Sequence, residues 1–313
     1  MSIKKLAAVL AASVISATAV TVAAFAAGTK VPITEKYFPD ENFREYVSEN
    51  FDTDGNGWLS QKERDAVTEI DVYYTEIRSL TGLSYFRNLE KLDCSSNYIT
   101  KLNVSKNTEL EVLDCSSNYQ LTKLNVSHNT KLKELECNGN QLTKLNVGKN
   151  TKLEYLRCDD NKLTELDISN NTKLKYLNCD ANRLTSLNVG KNTELECLVC
   201  GGNQLTSLDV SKNAMLAVLS CDYNKLTSLD VGKNPELREF ACDNNRLTKL
   251  DVSKNTMLSN LECSKNYLTE LDLSQNTNLF GIRCIENDIT TLDLSGCPEI
   301  YYYECDENVK IIK

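Results

Sequence analysis

The chain has 313 residues, of which 41% are hydrophobic and 25% charged, and its formal net charge at pH 7 is −9. This acidic balance argues against nucleic acid or an anionic membrane surface as a partner. The sequence holds one histidine and no recognisable Ser-His-Asp set, glycine-rich phosphate loop or His/Cys metal spacing, so it does not predict an enzyme.

Residues 1–27 have the pattern of a secretory signal peptide. Lys4 and Lys5 precede an apolar stretch from Leu6 to Ala23, and Ala24-Phe25-Ala26 fits a small-x-small cleavage site. Cleavage would change the net charge from −9 to −11, because the two lysines are the only charged residues of this segment. The alternative is an uncleaved membrane anchor, which the length permits. No LPxTG wall-sorting motif is found, so we expect a secreted or extracellular protein, associated with a cell surface only without a covalent wall anchor.

Residues 28–66 are predicted to form a small helical cap. Asp40 is placed to cap the N-terminus of a helix, and four apolar residues fall on one face of that helix, namely Phe43, Tyr46, Val47 and Phe51. A second short helix is predicted from Gln61 to about Val67. A cap at this place would cover the first hydrophobic edge of the repeats that follow.

The twelve residues from Asp52 to Glu63 fit the calcium-binding loop of an EF-hand. The pattern needs oxygen ligands at loop positions 1, 3, 5, 9 and 12, a backbone carbonyl at 7 and glycine at 6. The candidate ligands are Asp52, Asp54, Asn56, Ser60 and Glu63 with the carbonyl of Trp58, and Gly57 is the glycine. The alternative is that Ser60 and Glu63 form only a capping box for the second helix. Because that alternative leaves both aspartates, Asn56 and Gly57 without a role, we predict calcium as the cofactor.

Residues 67–313 are predicted to form a repeat solenoid of about twelve turns. Cysteines recur every 21 residues, with one step of 22, and an asparagine stands three residues after each of them. These cysteines are Cys94, Cys115, Cys137, Cys158, Cys179, Cys200, Cys221, Cys242, Cys263, Cys284 and Cys305. The extra residue, near Tyr119 and Gln120, is predicted to bulge at a corner and leave the register intact.

One turn runs from Leu174 to Glu194, with apolar residues at positions 1, 4, 6, 11, 14 and 16 when Leu174 is position 1. The alternation around position 4 predicts a short half-buried strand, and positions 11–16 predict a second extended segment. Stacked turns would then form a parallel sheet. The asparagines of positions 9 and 19 are predicted to bond backbone groups at two corners.

The recurring cysteines are predicted to be buried thiols rather than disulfides. In-register neighbours in a parallel sheet lie about 4.7–4.9 Å apart and point the same way, whereas a disulfide needs Cβ atoms about 3.5–4.5 Å apart with a near-perpendicular torsion. Cys197 and Cys200 form a C-x-x-C pair, but strand alternation turns Cys197 outward and Cys200 inward, which argues against a redox site.

The repeat resembles the leucine-rich repeat pattern LxxLxLxxNxL, in the cysteine-bearing 21-residue form of internalin J-type surface proteins of Gram-positive bacteria. The resemblance covers residues 89–309, and a turn of more ordinary internalin type precedes it from Val67, with Thr75 in the place of the asparagine. It implies a leucine-rich repeat solenoid with a parallel β-sheet on its concave face, little helix, and an α-helical EF-hand-like cap. It also implies adhesion or partner recognition as the function.

The outward positions 3 and 5 of the strands are the candidate binding positions. In the middle turns they are apolar, and the candidate partner-binding residues are Tyr155, Tyr176, Cys197, Val199, Val218 and Ala241, with Tyr223 at position 8 predicted to border them. An apolar, aromatic surface rimmed by charge predicts a protein partner, from a host or a bacterial surface. A glycan stacked on the tyrosines and a passive spacer remain as alternatives. At the far end, either Val309, Ile311 and Ile312 close the core or the end pairs with another molecule.

Overall fold

The computed structural model describes residues 30–313, so the predicted signal peptide lies outside the described residues. A small cap of helices and short strands precedes a long parallel solenoid. Neither α-helix of the described part has the length and apolar character that crossing a membrane requires.

The cap contains strand β1 (Val31–Pro32), helix α1 (Glu41–Phe51), strand β2 (Trp58–Leu59) and helix α2 (Gln61–Ala66). Strands β1 and β2 pair antiparallel. The side chain of Asp40 accepts a hydrogen bond from the amide of Phe43 at 3.1 Å, which confirms the predicted N-cap of α1.

The apolar face of α1 joins the cap to the solenoid. Phe43 and Val47 are fully buried, and the ring of Phe51 lies 5.2 Å from that of Phe86 in the first turn. The cap and the first turns therefore share one hydrophobic core. Burial of each such side chain stabilises the fold by about 1.5–3 kcal/mol.

Twelve strands of three residues form one parallel sheet along the solenoid. They are β3 (Glu69–Asp71), β4 (Lys91–Asp93), β5 (Val112–Asp114), β6 (Glu134–Glu136), β7 (Tyr155–Arg157), β8 (Tyr176–Asn178), β9 (Cys197–Val199), β10 (Val218–Ser220), β11 (Glu239–Ala241), β12 (Asn260–Glu262), β13 (Gly281–Arg283) and β15 (Tyr302–Glu304). Every pair is in register, for example Leu177 beside Leu198. The predicted solenoid, with its long parallel sheet and little helix, is confirmed.

The cysteines at position 6 form a continuous ladder inside the solenoid. All thirteen cysteines are free thiols, and those of the ladder from Cys94 to Cys284 are buried. Burial raises the pKa of these thiols, to about 12 for Cys179, so they remain protonated at neutral pH. Their predicted place in the core is confirmed.

The asparagine at position 9 binds backbone groups of two turns. In Asn182 the side-chain Nδ2 donates to the carbonyls of Cys158, Cys179 and Asp180, and Oδ1 accepts from the amide of Leu163 at 2.9 Å. Asn308, in the incomplete last turn, is instead exposed, so the ladder ends one turn before the end of the sheet.

The inserted residue breaks one bond of this asparagine ladder without shifting the sheet. The amide of Leu121 donates to the carbonyl of Asn118 at 2.7 Å rather than to Oδ1 of Asn140, which is left buried without a partner. Strands β5 and β6 nevertheless stay in register. The predicted bulge is therefore confirmed, and its cost is one unpaired acceptor.

The predicted second extended segment forms a regular strand only at the end of the chain, where β14 (Thr291–Asp293) pairs with β16 (Lys310–Ile312). Elsewhere that side of the turn makes single cross-turn bonds, such as the amide of Gln204 to the carbonyl of Leu184 at 2.8 Å. Val309 and Ile311 are half-buried against the core while Ile312 is exposed, so β16 covers part of the open end.

Candidate functional site

The outward side chains of β7 to β11 lie side by side on the concave sheet. We define the middle patch as the six partly buried side chains Tyr155, Tyr176, Cys197, Val199, Val218 and Ala241. Register brings Tyr155, Tyr176, Cys197 and Val218 into one column. Val199 and Ala241 lie in the neighbouring column, with Ser220 of β10 between them. The structure thus brings together six of the seven side chains predicted for partner binding.

Tyr223, the seventh, lies outside the strands. It stands three residues after Ser220, the last residue of β10, and its side chain is exposed. Its φ is 49°, and position 8 is left-handed in every turn from Ser96 to Glu286. Because this conformation strains most side chains, Tyr223 is a costly residue at a corner that elsewhere holds residues such as Gly202.

A pair of stacked tyrosines forms the aromatic part of the middle patch. The rings of Tyr155 and Tyr176 lie 4.3 Å apart between centroids with their planes 10° apart. Burial raises the pKa of Tyr155 to about 12, with a further rise from the nearby charge of Glu136. Both phenols therefore remain neutral and can donate hydrogen bonds to a ligand.

An ion-pair cluster borders the middle patch on its N-terminal side. Arg157 lies 3.3 Å from a carboxylate oxygen of Glu136 and 3.3 Å from one of Asp159. Arg157 is the basic residue closest in sequence to Tyr155, and these contacts already balance the charge of Arg157 with two acids.

The C-terminal side of the middle patch is acidic, and its outward strand positions hold no lysine or arginine as far as β12. From β8 to β12, positions 3, 5 and 7 contain no lysine or arginine but five acids, namely Asp180, Asp222, Glu239, Asp243 and Glu262. Burial raises the pKa of Asp180, Asp222 and Asp243, the last to about 6. The sequence reasoning considered positions 3 and 5 and missed the acids of position 7, although their 21-residue spacing was visible.

Three acidic residues of the cap loop converge. One carboxylate oxygen of each of Asp52, Asp54 and Glu63 lies within 4.8 Å of the others. Oxygen ligands of this kind are those that calcium prefers, and the separation fits a shared cation at about 2.3–2.6 Å from each. The donor set therefore fits the predicted ion.

Hydrogen bonds from backbone amides to the same acidic side chains hold the loop in its conformation. The carboxylate of Asp52 accepts from the amides of Asn56 at 3.1 Å and Gly57 at 2.7 Å. Gly55 and Gly57 have φ of 65° and 79°, and an added Cβ would meet nothing at either place. Both glycines are therefore required by backbone conformation rather than by space.

Glu63 has two roles in the structure. Its carboxylate accepts from the amide of Ser60 at 2.8 Å, which completes the capping box of α2, and from the amide and hydroxyl of Thr53. These bonds lower the pKa of Glu63 to about 2, with the Ser60 amide as the largest cause. The capping box considered as an alternative thus exists, and it holds Glu63 ionised beside the two aspartates.

The remaining predicted ligands are Asn56, Trp58 and Ser60. Oδ1 of Asn56 accepts from the amide of Trp58 at 2.9 Å. Trp58 faces Pro32 across the β1–β2 pair, and Pro32 has no amide hydrogen to donate to it. The hydroxyl of Ser60 accepts from the amide of Glu63 at 3.2 Å. Strand β1 therefore pairs with β2, but the residue of β1 that faces Trp58 donates no hydrogen bond to the Trp58 carbonyl.

The chain is similar to known leucine-rich repeat proteins over most of its described length. The solved functional domain of InlJ from Listeria monocytogenes, which includes a cysteine ladder, is 40% identical with a TM-score of 0.87, over 91% of this chain and 63% of that one. Internalin J of L. monocytogenes serotype 4b is 38% identical over 72 residues, which are 23% of this chain and 8% of that protein. The chain thus spans less than two thirds of either relative.

A plant protein shares the fold at lower identity. The ectodomain of the receptor kinase GASSHO1/SCHENGEN3 from Arabidopsis thaliana, solved with Casparian strip integrity factor 2, is 20% identical with a TM-score of 0.70, over 78% of this chain and 33% of that one. No protein-family model matches the chain.

Proposed function

Because the chain is a leucine-rich repeat solenoid of the internalin type with a cysteine ladder, we propose that it is a secreted or surface-associated recognition protein. In this proposal it binds a protein partner through the middle patch of the concave sheet and is not an enzyme. The observation that carries the proposal is the stacked pair of Tyr155 and Tyr176 beside Cys197 and Val199, an exposed apolar surface on a rigid sheet.

The patch has the make-up of a binding-site centre. Interfaces are enriched in tyrosine at their centres and depleted of charge there, and the residues that dominate affinity cluster in such places. The stacked tyrosines are already ordered by their neighbours, so a partner would lose less side-chain entropy on binding them. The complex of the plant receptor ectodomain supports a partner of protein or peptide nature.

The two alternatives predict different outcomes. A glycan would stack on Tyr155 and Tyr176, whereas a spacer would depend on no outward side chain. The flanking acids at Asp180, Asp222 and Asp243 suit basic side chains of a protein partner, but they also accept hydrogen bonds from sugar hydroxyls, so the test has to include both classes of ligand.

The test compares a double variant with a matched control. Tyr155→Asp with Val199→Asp places two charges in the patch, and Thr185→Asp with Thr206→Asp places two at exposed positions outside the sheet. The proteins are labelled and applied to an array of host and bacterial surface proteins and glycans. Protein binding that only the patch variant loses supports the proposal. Equal binding by all three moves the site elsewhere, and glycan binding alone favours the carbohydrate alternative.

We also propose that the cap loop binds calcium, with Asp52, Asp54, Asn56, Ser60, Glu63 and the carbonyl of Trp58 as its ligands. The convergence of Asp52, Asp54 and Glu63 supports this role. The ion would neutralise three neighbouring carboxylates and tie α1 to α2, which stabilises the cap against the first turn. Terbium luminescence sensitised by Trp58, the one tryptophan, tests it: emission that calcium displaces supports the site, and no emission contradicts it.

A further inference from the structure

The acids of position 7 form a column with one gap. We define the rim column as Asp159, Asp180, Gly201, Asp222 and Asp243, which follow successive strands from β7 to β11. Gly201 is buried, and a Cβ added to it would lie 2.6 Å from Oδ1 of Asp180 and 3.2 Å from the carbonyl oxygen of Asp222. Its backbone is not left-handed, so a Cβ here would be limited by space and not by conformation, and it would displace the Asp180 carboxylate.

The gap lets two carboxylates approach one another. The carboxylate of Asp180 takes the space that a side chain at Gly201 would fill, and Asp222 is close enough to contribute electrostatically to the raised pKa of Asp180. Asp222 accepts from the hydroxyl of Ser220 at 2.8 Å and the amide of Asp243 at 2.8 Å. Within residues 30–313, neither Asp180 nor Asp222 forms an ion pair with a basic side chain.

The gap lies at the end of the middle patch. Gly201 follows β9, whose outward side chains are Cys197 and Val199. The register neighbours of Cys197 are Tyr176 and Val218, and those of Val199 are Asn178 and Ser220. Two apolar side chains of β9 therefore lead to the pair of carboxylates. Lysine and arginine match this arrangement, since each carries an apolar stem below a cationic head.

We propose that the two carboxylates beside Gly201 bind a lysine or arginine side chain of the protein partner, whose stem lies on Cys197 and Val199 and whose cationic head contacts Asp180 and Asp222. This inference rests on the proposed function, because it names the chemistry of the partner at the same surface. The partner is thus a basic segment rather than a neutral or acidic one. Charge complementarity supports it, since the five acids from β8 to β12 have no cation of their own at the outward positions.

The probe is a set of short peptides that differ in one central residue. Each carries valines around a lysine, an arginine, a norleucine or a glutamate, so stem and charge are varied separately. Titrations followed by NMR chemical shifts detect weak binding to the full chain. We expect the lysine and arginine peptides to bind at least about tenfold more tightly than norleucine, and glutamate not to bind.

Three variants separate the gap from the rest of the surface. Asp180→Asn with Asp222→Asn removes the charges, and Gly201→Ala displaces the Asp180 carboxylate while keeping its charge. Both are expected to lose the preference for lysine over norleucine. The control Gly232→Ala introduces a milder contact with an aspartate, 3.1 Å from Oδ1 of Asp230, at the other corner and should keep this preference. Thermal melts of each variant verify that the fold is retained.

The outcomes distinguish this inference from the proposed function. Equal binding of the lysine and norleucine peptides, or no binding by any peptide, overturns the inference. If the array partner is lost by Tyr155→Asp with Val199→Asp but kept by Asp180→Asn with Asp222→Asn, the recognition role stands and the lysine site does not. If both double variants keep the partner, both proposals fail.

Discussion

Tyr155 and Tyr176 are stacked because the solenoid places the same outward position of successive strands directly side by side. Their separation of 4.3 Å between ring centroids is below the usual spacing of adjacent strands, so the rings lean together rather than stand independently. Such a pair is a rigid feature of the free protein, available to a partner without reorganisation.

Removing the two rings separately and together should reveal this interaction. We expect Tyr155→Ala and Tyr176→Ala to be coupled by about 0.5–1.5 kcal/mol in the free energy of unfolding, as measured for aromatic pairs. A urea-unfolding double-mutant cycle provides the measurement. Tyr155→Ala with Tyr267→Ala, whose rings lie five strands apart along the solenoid, should be additive to within about 0.3–0.5 kcal/mol. Equal behaviour of both cycles would contradict the coupling.

Calcium should stabilise the cap. Extracellular sites often bind at about 10⁻⁴–10⁻³ M, so millimolar calcium would add on the order of 1 kcal/mol to the free energy of unfolding. We expect the melting temperature to fall in EDTA and to rise in calcium. Asp54→Ala should abolish this difference at little other cost, since within residues 30–313 the Asp54 side chain accepts a single hydrogen bond, from the amide of Asn56 at 3.2 Å.

The matched control is Asp65→Ala, an exposed acid of α2 outside the loop. It should respond to calcium as the unchanged protein does. An identical melt of the unchanged protein in EDTA and in calcium would mean that the capping box alone explains Ser60 and Glu63.

Replacing the asparagine of position 9 should lower the free energy of unfolding less where the ladder is interrupted than where it is intact. Asn182→Ala leaves the buried amide of Leu163 without its partner, and such a group costs about 1–3 kcal/mol. The carbonyls of Cys158, Cys179 and Asp180 keep their bonds from Asn161, Asn203 and the amide of Asp160. Asn140→Ala should cost less, because its Oδ1 has no partner to lose. Deleting Gln120 should restore that bond and make the two substitutions similar in cost, which unfolding in urea would measure. Equal costs before the deletion would contradict this account.

The periodicity predicted the solenoid, its long parallel sheet, the buried cysteines and the asparagine corners, because each depends on a short-range pattern repeated in register. It could not predict the tilt of Tyr155 against Tyr176 or the turn of Asp180 over Gly201, since both depend on side-chain rotamers across neighbouring turns. The left-handed corner at position 8 was also hidden, because it is occupied by residues as different as Gly202 and Tyr223. The ligand pattern of the cap loop predicted the convergence of Asp52, Asp54 and Glu63, but not that Pro32 faces Trp58.

The thiols should fall into two kinetic classes. Of the thirteen cysteines, eleven are buried, whereas Cys197 and Cys305 are half-buried. In the native protein we expect at most these two to react with a disulfide reagent, slowly for Cys197 because burial raises its pKa to about 11. Counting the released chromophore before and after denaturation measures both classes. Rapid reaction of more than two thiols in the folded state would contradict the closed ladder.

Asp243 should make the solenoid less stable at neutral pH than at acid pH. Burial and the charges of Asp222 and Glu262 raise its pKa to about 6, against the partial compensation of Arg283 and the amide of Ser264. An unfolded aspartate titrates near pH 3.9, so between these values the folded chain binds more protons. The contribution of this group to the free energy of unfolding therefore increases as pH falls from about 7 to about 4.

The substitution Asp243→Asn removes the cost of the charge. We expect it to raise the melting temperature by about 2 °C near pH 7.5, for an effect on the order of 1 kcal/mol reduced by partial solvation, and to lose this advantage below about pH 4. Asp251→Asn is the matched control with the opposite sign, because the amide of Ser253 lowers the pKa of Asp251 and its charge is favourable. Melting curves of both variants across this pH range decide the matter, since a merely structural effect of Asp243→Asn would be the same at every pH.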